Sequence, residues 1–308
     1  MTAYYVVDAH LHTYKTPEIG LQALSGWDLA GCVGTPEELL GIMDQAGIAS
    51  AVQVNLTPAR VMYDAAMAGL VPEADPDRAE AVRLKIADRI RRRNEWTCRV
   101  SREHPRLVPY ISVDPLMGSA GMVDELVDKV RNHGARGLKI HPSEGRYSPD
   151  SADFQPVWET AERLGIPVTT HGGEYELDQS GDVQTRPRAF ARILAEFPRL
   201  TLQIGHLGRG FFDESIELAG RFPNVCFDTS TVIPAGGDGV FSDRDGGGLS
   251  DEEAADLFRR VGVERVMFGT DYPWLHPAWE LKRLLGLPLS EEEKKAVLGE
   301  NARRILNL

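Results

Sequence analysis

Cysteine is scarce in this chain. Cys32, Cys98 and Cys226 are the only three among 308 residues, they lie far apart, and no CxxC pair occurs. A small disulfide-stapled scaffold is therefore excluded, and clustered cysteine ligands of the iron–sulfur kind are absent. The pattern is typical of a protein kept in a reducing compartment, and we expect a cytoplasmic location.

Long apolar runs and an excess of basic residues are also missing. No apolar run approaches about 18 residues, and no basic segment precedes a long apolar stretch, so we expect neither a membrane span nor a signal peptide. Lys and Arg number 34 against 46 Asp and Glu, which gives a net charge of -12. This balance argues against nucleic acid or an anionic membrane as the main partner, but it does not identify a substrate, because the local field in a cleft can oppose the net charge.

What remains is an ordinary globular composition. Apolar residues make up 42% of the chain and charged residues 26%, which excludes a disordered protein. Length alone favours two domains of about 150 residues each. A single α/β barrel of roughly 250 residues or more is the alternative at this size.

Short runs rich in β-branched residues alternate with longer amphipathic ones. They predict eight strands: Tyr4–His12, Ala51–Asn55, Val108–Asp114, Gly137–His141, Pro167–His171, Leu202–His206, Val225–Thr229 and Arg265–Asp271. Helices are predicted between and after them: Thr35–Ala46, Ala79–His104, Gly121–His133, Phe154–Leu164, Arg188–Phe197, Glu214–Phe222, Ser250–Val261 and Ser290–Ile305. This alternation implies parallel strands and predicts an α/β fold, a single-domain (β/α)8 TIM barrel over residues 1–308, with an open doubly wound sheet as the alternative.

Three connections are long and leave the carboxyl ends of predicted strands. They are Thr13–Gly34 after strand 1, Leu56–Arg78 after strand 2 and Ser230–Leu249 after strand 7. Barrel enzymes build their active sites at this end, and long loops are often functional. The glycines of the third connection fit a lid or a tolerated surface insertion, and their spacing is not that of a phosphate-binding loop.

Histidines collect at the ends of the predicted strands. Strand 1 ends in Asp8-Ala9-His10-Leu11-His12, and alternate residues of a strand point to one face, so His10 and His12 project together. Two such imidazoles can share a metal ion at about 2.0–2.1 Å per bond. Taken alone, the pair favours two hydrogen-bonded side chains in a polar strand end, and it is the histidines and aspartate at three further strand ends that favour a metal site.

Further strand ends carry the same residue types. His171 ends strand 5 and is followed by Gly172, His206 ends strand 6 between Gly205 and Gly208, and Asp271 ends strand 8. Lys139 and His141 share a face of strand 4, where the lysine fits a substrate carboxylate, a salt bridge or, if carboxylated, a bridge between two metals. His206 is suited to binding metal, polarising a carbonyl or moving a proton.

These residues together are what a hydrolytic metal site requires. Three or four nitrogen and oxygen ligands hold an ion and leave one position for water, whose pKa falls towards about 7. A neighbouring carboxylate or imidazole accepts the proton. The absence of clustered cysteines favours zinc, manganese or another ion of this ligand preference.

The ordered series Asp8–His12, Gly137–Pro142, Thr170–Gly173, Ile204–Gly208 and Gly269–Pro273 resembles the amidohydrolase superfamily over essentially the whole chain. More narrowly, it resembles the branch that includes aminocarboxymuconate-semialdehyde decarboxylase, γ-resorcylate decarboxylase, lactonases and hydratases. The resemblance implies a (β/α)8 barrel holding one divalent metal, usually zinc.

By position, the resemblance makes His10, His12, His171 and Asp271 the metal ligands. It makes His206 the acid, base or electrophile beside the substrate. Lys139 stands where binuclear relatives carry a carboxylated lysine. Some benzoate-type decarboxylases of the branch have glutamate where this chain has His10, which weakens that subtype here.

The leading hypothesis is a metal-dependent hydrolase of a small, carboxylated amide, ester or lactone. Asp271 accepts a proton from the attacking water and His206 stabilises the oxyanion. Lys139, Arg60, Arg146 or Arg209 is expected to hold the substrate carboxylate, with His141 in a supporting role. The alternatives are a nonoxidative decarboxylase of an unsaturated or aromatic acid and a non-catalytic ligand-binding barrel. The basic stretch Arg89–Arg93 is either a homodimer contact or a solvated helix face.

Overall fold

The computed structural model describes residues 4–26, 30–69, 75–174, 183–233 and 249–308. Eight parallel strands are paired in sequence order. They are β1 (Val6–Leu11), β2 (Ile48–Gln53), β3 (Leu107–Ser112), β4 (Gly137–Ile140), β5 (Val168–Thr170), β6 (Leu202–Ile204), β7 (Val225–Asp228) and β8 (Val266–Met267). Every predicted strand is confirmed; β2 and β3 begin earlier than predicted, and the other six have tighter bounds.

Backbone hydrogen bonds between β8 and β1 close the sheet. Ala9 N donates to Phe268 O at 2.7 Å, Asp271 N donates to His10 O at 2.8 Å, and His12 N donates to Tyr272 O at 2.7 Å. The first strand is therefore paired on both sides, which an open sheet would not allow. The predicted (β/α)8 barrel is confirmed and the open doubly wound sheet is wrong.

The helices alternate with the strands along the chain. They are α1 (Pro17–Leu24), α2 (Pro36–Ala46), α3 (Ala59–Met67), α4 (Pro76–Glu103), α5 (Ser119–His133), α6 (Pro142–Gly145), α7 (Gln155–Leu164), α8 (Ala191–Glu196), α9 (Phe212–Arg221), α10 (Asp251–Val261), α11 (Pro277–Gly286), α12 (Glu291–Lys295) and α13 (Asn301–Ile305). No helix in these described ranges is both long and apolar enough to cross a bilayer.

The first two long connections were predicted without regular structure, and that expectation is wrong. Helix α1 lies in the first, and α3 with the start of α4 lies in the second. Helix α11 was also missed, and the predicted helix Ser290–Ile305 is interrupted by a π-helical stretch at Ala296–Glu300. Most of the third connection, residues 234–248, lies outside the described residues. That one domain spans the whole chain stays a prediction.

A small apolar cluster fills the barrel below the strand ends. Cys226 lies two residues before Asp228 on β7 and so shares its face. It belongs to a cluster in which strand residues meet the C-terminal helix: Val7, Ala9, Val52, Val54, Tyr110, Cys226, Met267, Ala302 and Leu306. A Cβ at Gly137 would lie 2.3 Å from the Tyr110 ring, so only glycine lets this ring pack against β4.

The Tyr110 hydroxyl is buried and makes no hydrogen bond to the described residues. A buried hydroxyl without a partner costs about 1–3 kcal/mol. We predict that Tyr110→Phe stabilises the chain by about 1 kcal/mol, measured as a rise in thermal unfolding midpoint of about 1–2 °C.

The matched control is Tyr272→Phe. This hydroxyl donates to the Glu38 carboxylate and lies 3.3 Å from Thr35 O. Its removal takes away the hydrogen bond to the Glu38 carboxylate, so the midpoint is expected to fall. A lower midpoint for Tyr110→Phe would contradict the assignment of an unsatisfied hydroxyl.

Candidate active site

The predicted site residues lie at one end of the barrel because the carboxyl ends of parallel strands share one edge. His10 and Lys139 lie within β1 and β4, and the remaining predicted residues follow a strand directly or within four residues. These are His12, His141, His171, His206 and Asp271. Apart from partly exposed His141, His171 and Asp271, they are buried. The strands thus bring together side chains up to 261 positions apart in sequence.

Three of the residues converge on one point. Asp271 Oδ1 lies 3.2 Å from His12 Nε2 and 3.8 Å from His10 Nε2. One ligand atom from each side chain lies within 4.8 Å of the others, close enough to hold a metal ion. These three residues confirm that alternate positions of β1 project together, even though β1 has a register irregularity between Asp8 and Leu11.

His171 is not part of this group of three. Its Nδ1 lies 3.1 Å from His206 Nε2, and its ring is 4.7 Å from the His206 ring between centroids. The His206 ring in turn lies 4.9 Å from that of His10. His206 therefore stands between His10 and His171.

His171 Nδ1 and His206 Nε2 face each other at 3.1 Å. The backbone carbonyl of Glu174 accepts from His171 Nε2 at 3.2 Å, which leaves the lone pair of His171 on Nδ1. His206 Nδ1 faces the Ser230 carbonyl at 3.1 Å and the hydroxyls of Ser230 and Thr231 at 2.8 and 3.2 Å. The lone pair of His171 can therefore accept a proton from His206 or bind a cation in the site.

Burial keeps these imidazoles neutral. It lowers the pKa of His12 to about 4 and that of His206 to about 3, against the opposing pull of the Asp271 carboxylate. Burial also lowers the pKa of His171 well below its ordinary value. Burial alone would raise the pKa of Asp271, but the hydrogen bond to His12 and the neighbouring imidazoles hold it below the usual range. Neutral imidazoles with one carboxylate are the donor set that zinc and manganese accept.

Lys139 brings a positive charge to the same place. Its side chain is buried, and its Nζ lies 3.3 Å from His10 Nε2. Burial lowers the pKa of Lys139 to about 8, while Asp271 and Asp228 oppose the shift. A buried ammonium beside the His10–His12–Asp271 group can attract an anionic part of a substrate.

His141 supports the site from outside. Its ring stacks on that of His171 with centroids 4.1 Å apart and an interplanar angle of 8°. Its Nδ1 accepts the backbone N–H of Glu144 at 3.2 Å, which caps the short helix α6. His141 therefore packs against the His171 ring, and its supporting role in the reaction stays a prediction.

Two glycines make room for His10. A Cβ at Gly205 would lie 3.0 Å from His10 Cε1, and one at Gly269 would lie 3.0 Å from His10 Cβ. Both are tighter than ordinary carbon contacts, so larger residues would push the imidazole aside. His206 and Asp271 themselves adopt positive φ angles of 57° and 58°, and such strained backbone often occurs at functional sites.

Two of the three arginines expected to hold a substrate carboxylate form ion pairs with Asp64 instead. Arg60 Nε lies 3.0 Å from Asp64, and Arg146 Nη1 lies 2.8 Å from the other oxygen of the same carboxylate. The backbone N–H of Arg209 donates to His206 O at 2.9 Å. Lys139 is therefore the cation of that set with the most direct position in the site.

Sequence reasoning missed Asp228. This residue ends β7, is fully buried, and has its Oδ2 2.8 Å from His10 Nδ1. The signal was available, because Asp228 is the last residue but one of the predicted strand Val225–Thr229, close to the strand end where His206 and Asp271 lie in their own predicted strands. It was overlooked because no histidine accompanies it in sequence.

Comparisons with known proteins agree with this geometry. A family model described as amidohydrolase matches residues 7–308, and the chain belongs to that family. No curated protein matches the chain.

Solved structures share the fold at low sequence identity. A 2,6-dihydroxybenzoate decarboxylase from Rhizobium is 17% identical, with 99% of each chain covered and a TM-score of 0.70. A 5-carboxyvanillate decarboxylase from Sphingomonas paucimobilis is 18% identical, with 99% of this chain and 100% of that chain covered and a TM-score of 0.69. A dihydroxybenzoic acid decarboxylase from Polaromonas, solved with manganese and 2-nitroresorcinol, is 16% identical, with 99% and 97% covered and a TM-score of 0.72.

We predict that the purified chain binds one divalent ion and that His12→Ala or Asp271→Asn weakens this binding at least about 100-fold, because each removes one of three converging ligands. Titration with Mn²⁺ or Zn²⁺ against a chelator measures the dissociation constant. His104→Ala, at the far end of α4, is the control and should leave the affinity unchanged. Equal affinity in all four proteins would show that the ion binds elsewhere.

Proposed function

We propose that this protein is a metal-dependent nonoxidative decarboxylase of a small aromatic or unsaturated carboxylic acid. The observation that carries the proposal is the buried Lys139 ammonium, 3.3 Å from His10 Nε2, beside the neutral imidazoles and the Asp271 carboxylate. This arrangement suits a carboxylate substrate, and the similar solved structures named as decarboxylases support the choice of reaction.

His10, His12 and Asp271 would hold the ion, with His171 as the further ligand that the family resemblance implies. When bound, the ion supplies positive charge that orients the oxygen atoms of the substrate. Manganese is favoured by its presence in similar structures, and zinc remains the alternative from the donor set. We propose one ion, with Lys139 as an uncarboxylated cation.

The chain's own residues would then replace the carboxylate of the substrate with a proton. Lys139 attracts the substrate carboxylate, and His206 or Asp271, each unprotonated at rest, takes up a proton from solvent and passes it to the carbon that bears the carboxylate. The bond between that carbon and the carboxylate breaks, its electron pair stays with the ring or alkene, and CO2 leaves. The overall change is RCOO⁻ plus H⁺ to RH plus CO2, and no oxidant is needed.

The hydrolase hypothesis uses the same residues with water as the nucleophile. The comparisons favour decarboxylation over it. His10 departs from the glutamate of some benzoate-type decarboxylases, which makes an unsaturated aliphatic acid as suitable a substrate as a dihydroxybenzoate. A homodimer and a cytoplasmic location stay predictions.

We predict that the Mn²⁺-loaded chain releases CO2 from at least one acid in a panel of 2,6-dihydroxybenzoate, 5-carboxyvanillate and unsaturated aliphatic acids. His206→Asn is expected to lower kcat by about 10²- to 10⁴-fold, the usual size of a general acid contribution, while the ion stays bound. Trapped CO2 and chromatography of the decarboxylated product measure the rate.

The control arm is a set of small lactones, esters and amides. Cleavage of any of these by the loaded chain, with no CO2 from any acid, would contradict the proposal and restore the hydrolase hypothesis. His104→Ala should match the unaltered chain in both arms.

A further inference from the structure

A fully buried carboxylate at the end of β7 joins two of the candidate site's imidazoles. Asp228 Oδ2 lies 2.8 Å from His10 Nδ1 and accepts Gln203 Nε2 at 2.7 Å. Its Oδ1 accepts the backbone N–H of His206 at 3.1 Å and that of Ser230 at 3.2 Å, and also accepts the Ser230 hydroxyl. Five donors therefore surround one carboxylate.

The number of donors around the carboxylate decides whether Asp228 is a metal ligand or a hydrogen-bond acceptor. His10, His206 and Asp228 form a second group whose ligand atoms lie within 4.8 Å of one another, so on distance alone Asp228 could bind an ion. A carboxylate offers about four lone-pair sites, and five N–H and O–H groups already occupy them. An ion on this side would have to displace donors held by the barrel itself. The geometry therefore favours a hydrogen-bond acceptor.

The contact with His10 fixes which nitrogen of that ring is available. A carboxylate only accepts, so the proton of His10 lies on Nδ1 and points at Asp228. The lone pair then lies on Nε2, which is the atom that faces Asp271 and Lys139. Partners of this kind orient metal-binding histidines and raise their basicity.

The contact with His206 runs through Ser230. The Ser230 hydroxyl donates to Asp228 and lies 2.8 Å from His206 Nδ1, while Asp228 also holds the backbone N–H of His206. His206 is buried and has a positive φ of 57°, a conformation that needs such support. One carboxylate thus sets the positions of both rings.

We propose that Asp228 is the positioning residue that aims His10 Nε2 at the metal ion and, through Ser230, holds His206 in place. The inference deepens the proposed function, since it rests on the cation site. It does not depend on which reaction the ion supports.

Asp228→Asn tests the His10 branch, because asparagine keeps the shape and removes the charge and one acceptor. The dissociation constant for Mn²⁺, measured by chelator competition, is expected to rise about 10- to 100-fold, with one ion still bound per chain at saturation. Ser230→Ala is the matched variant. It removes the hydroxyl link between Asp228 and the His206 ring, keeps the backbone carbonyl of residue 230, and leaves His10 in contact with Asp228, so the Mn²⁺ constant should stay within about twofold.

A readout independent of metal comes from the metal-free chain labelled with ¹⁵N-histidine. The ring nitrogens of His10 should show the Nδ1-protonated form, and Asp228→Asn should shift the pattern towards a mixture while Ser230→Ala does not. If Asp228→Asn does not fold, Gln203→Met serves instead. It removes one donor that holds Oδ2, and a several-fold weaker Mn²⁺ affinity is expected.

Three results would overturn the proposal. One is an unchanged Mn²⁺ constant in folded Asp228→Asn. Another is two ions per unaltered chain and one in the variant, which would make Asp228 a ligand. The third is an unaltered chain that holds no ion, which would remove the cation site as well. Tight Mn²⁺ binding without CO2 release overturns the proposed function alone.

Discussion

Four imidazoles held around the Asp271 carboxylate are the constraint on which this structure depends. His10 and His12 share Asp271, and His171 Nδ1 lies 3.1 Å from His206 Nε2. A divalent ion among them would take up the lone pairs of the imidazoles and the charge of the carboxylate. The barrel tolerates the arrangement because hydrogen bonds from its own strands fix each ring from behind.

The polar site also explains why apolar and polar side chains occupy different levels of the barrel interior. Apolar residues such as Val52 and Met267 fill the space towards the C-terminal helix. Polar residues fill the space towards the strand ends, where Gln203 and Asp228 lie fully buried and fully hydrogen-bonded. Polar groups that position the site can be buried this deeply only because each has partners.

Much of this architecture could be predicted from the sequence, because strand periodicity and the residue types at strand ends are local signals. The eight strands and the convergence of His10, His12 and Asp271 follow from them. Helices α1 and α3 were missed because they lie in segments expected to be irregular, although Pro17 gave a helix start signal. The place of His171 beside His206 could not be foreseen, because ring orientation depends on partners such as Glu174 O.

Asp228 shows a different limit of prediction from sequence. Its role comes from five donors contributed by β1, β6 and the segments after β6 and β7, and no sequence spacing encodes such a set. A lone aspartate at a strand end is as consistent with a helix cap as with a site residue. Only the closed barrel, which places β7 opposite the His10 ring, separates the two interpretations.

The most direct test of the account is a crystal structure of the Zn²⁺-loaded chain with anomalous data at the zinc edge. The account predicts one peak, at about 2.0–2.2 Å from His10 Nε2, His12 Nε2 and an Asp271 carboxylate oxygen, with Asp228 outside the ligand set. A peak bonded to His10 Nδ1 and Asp228, or no peak among these side chains, would contradict it.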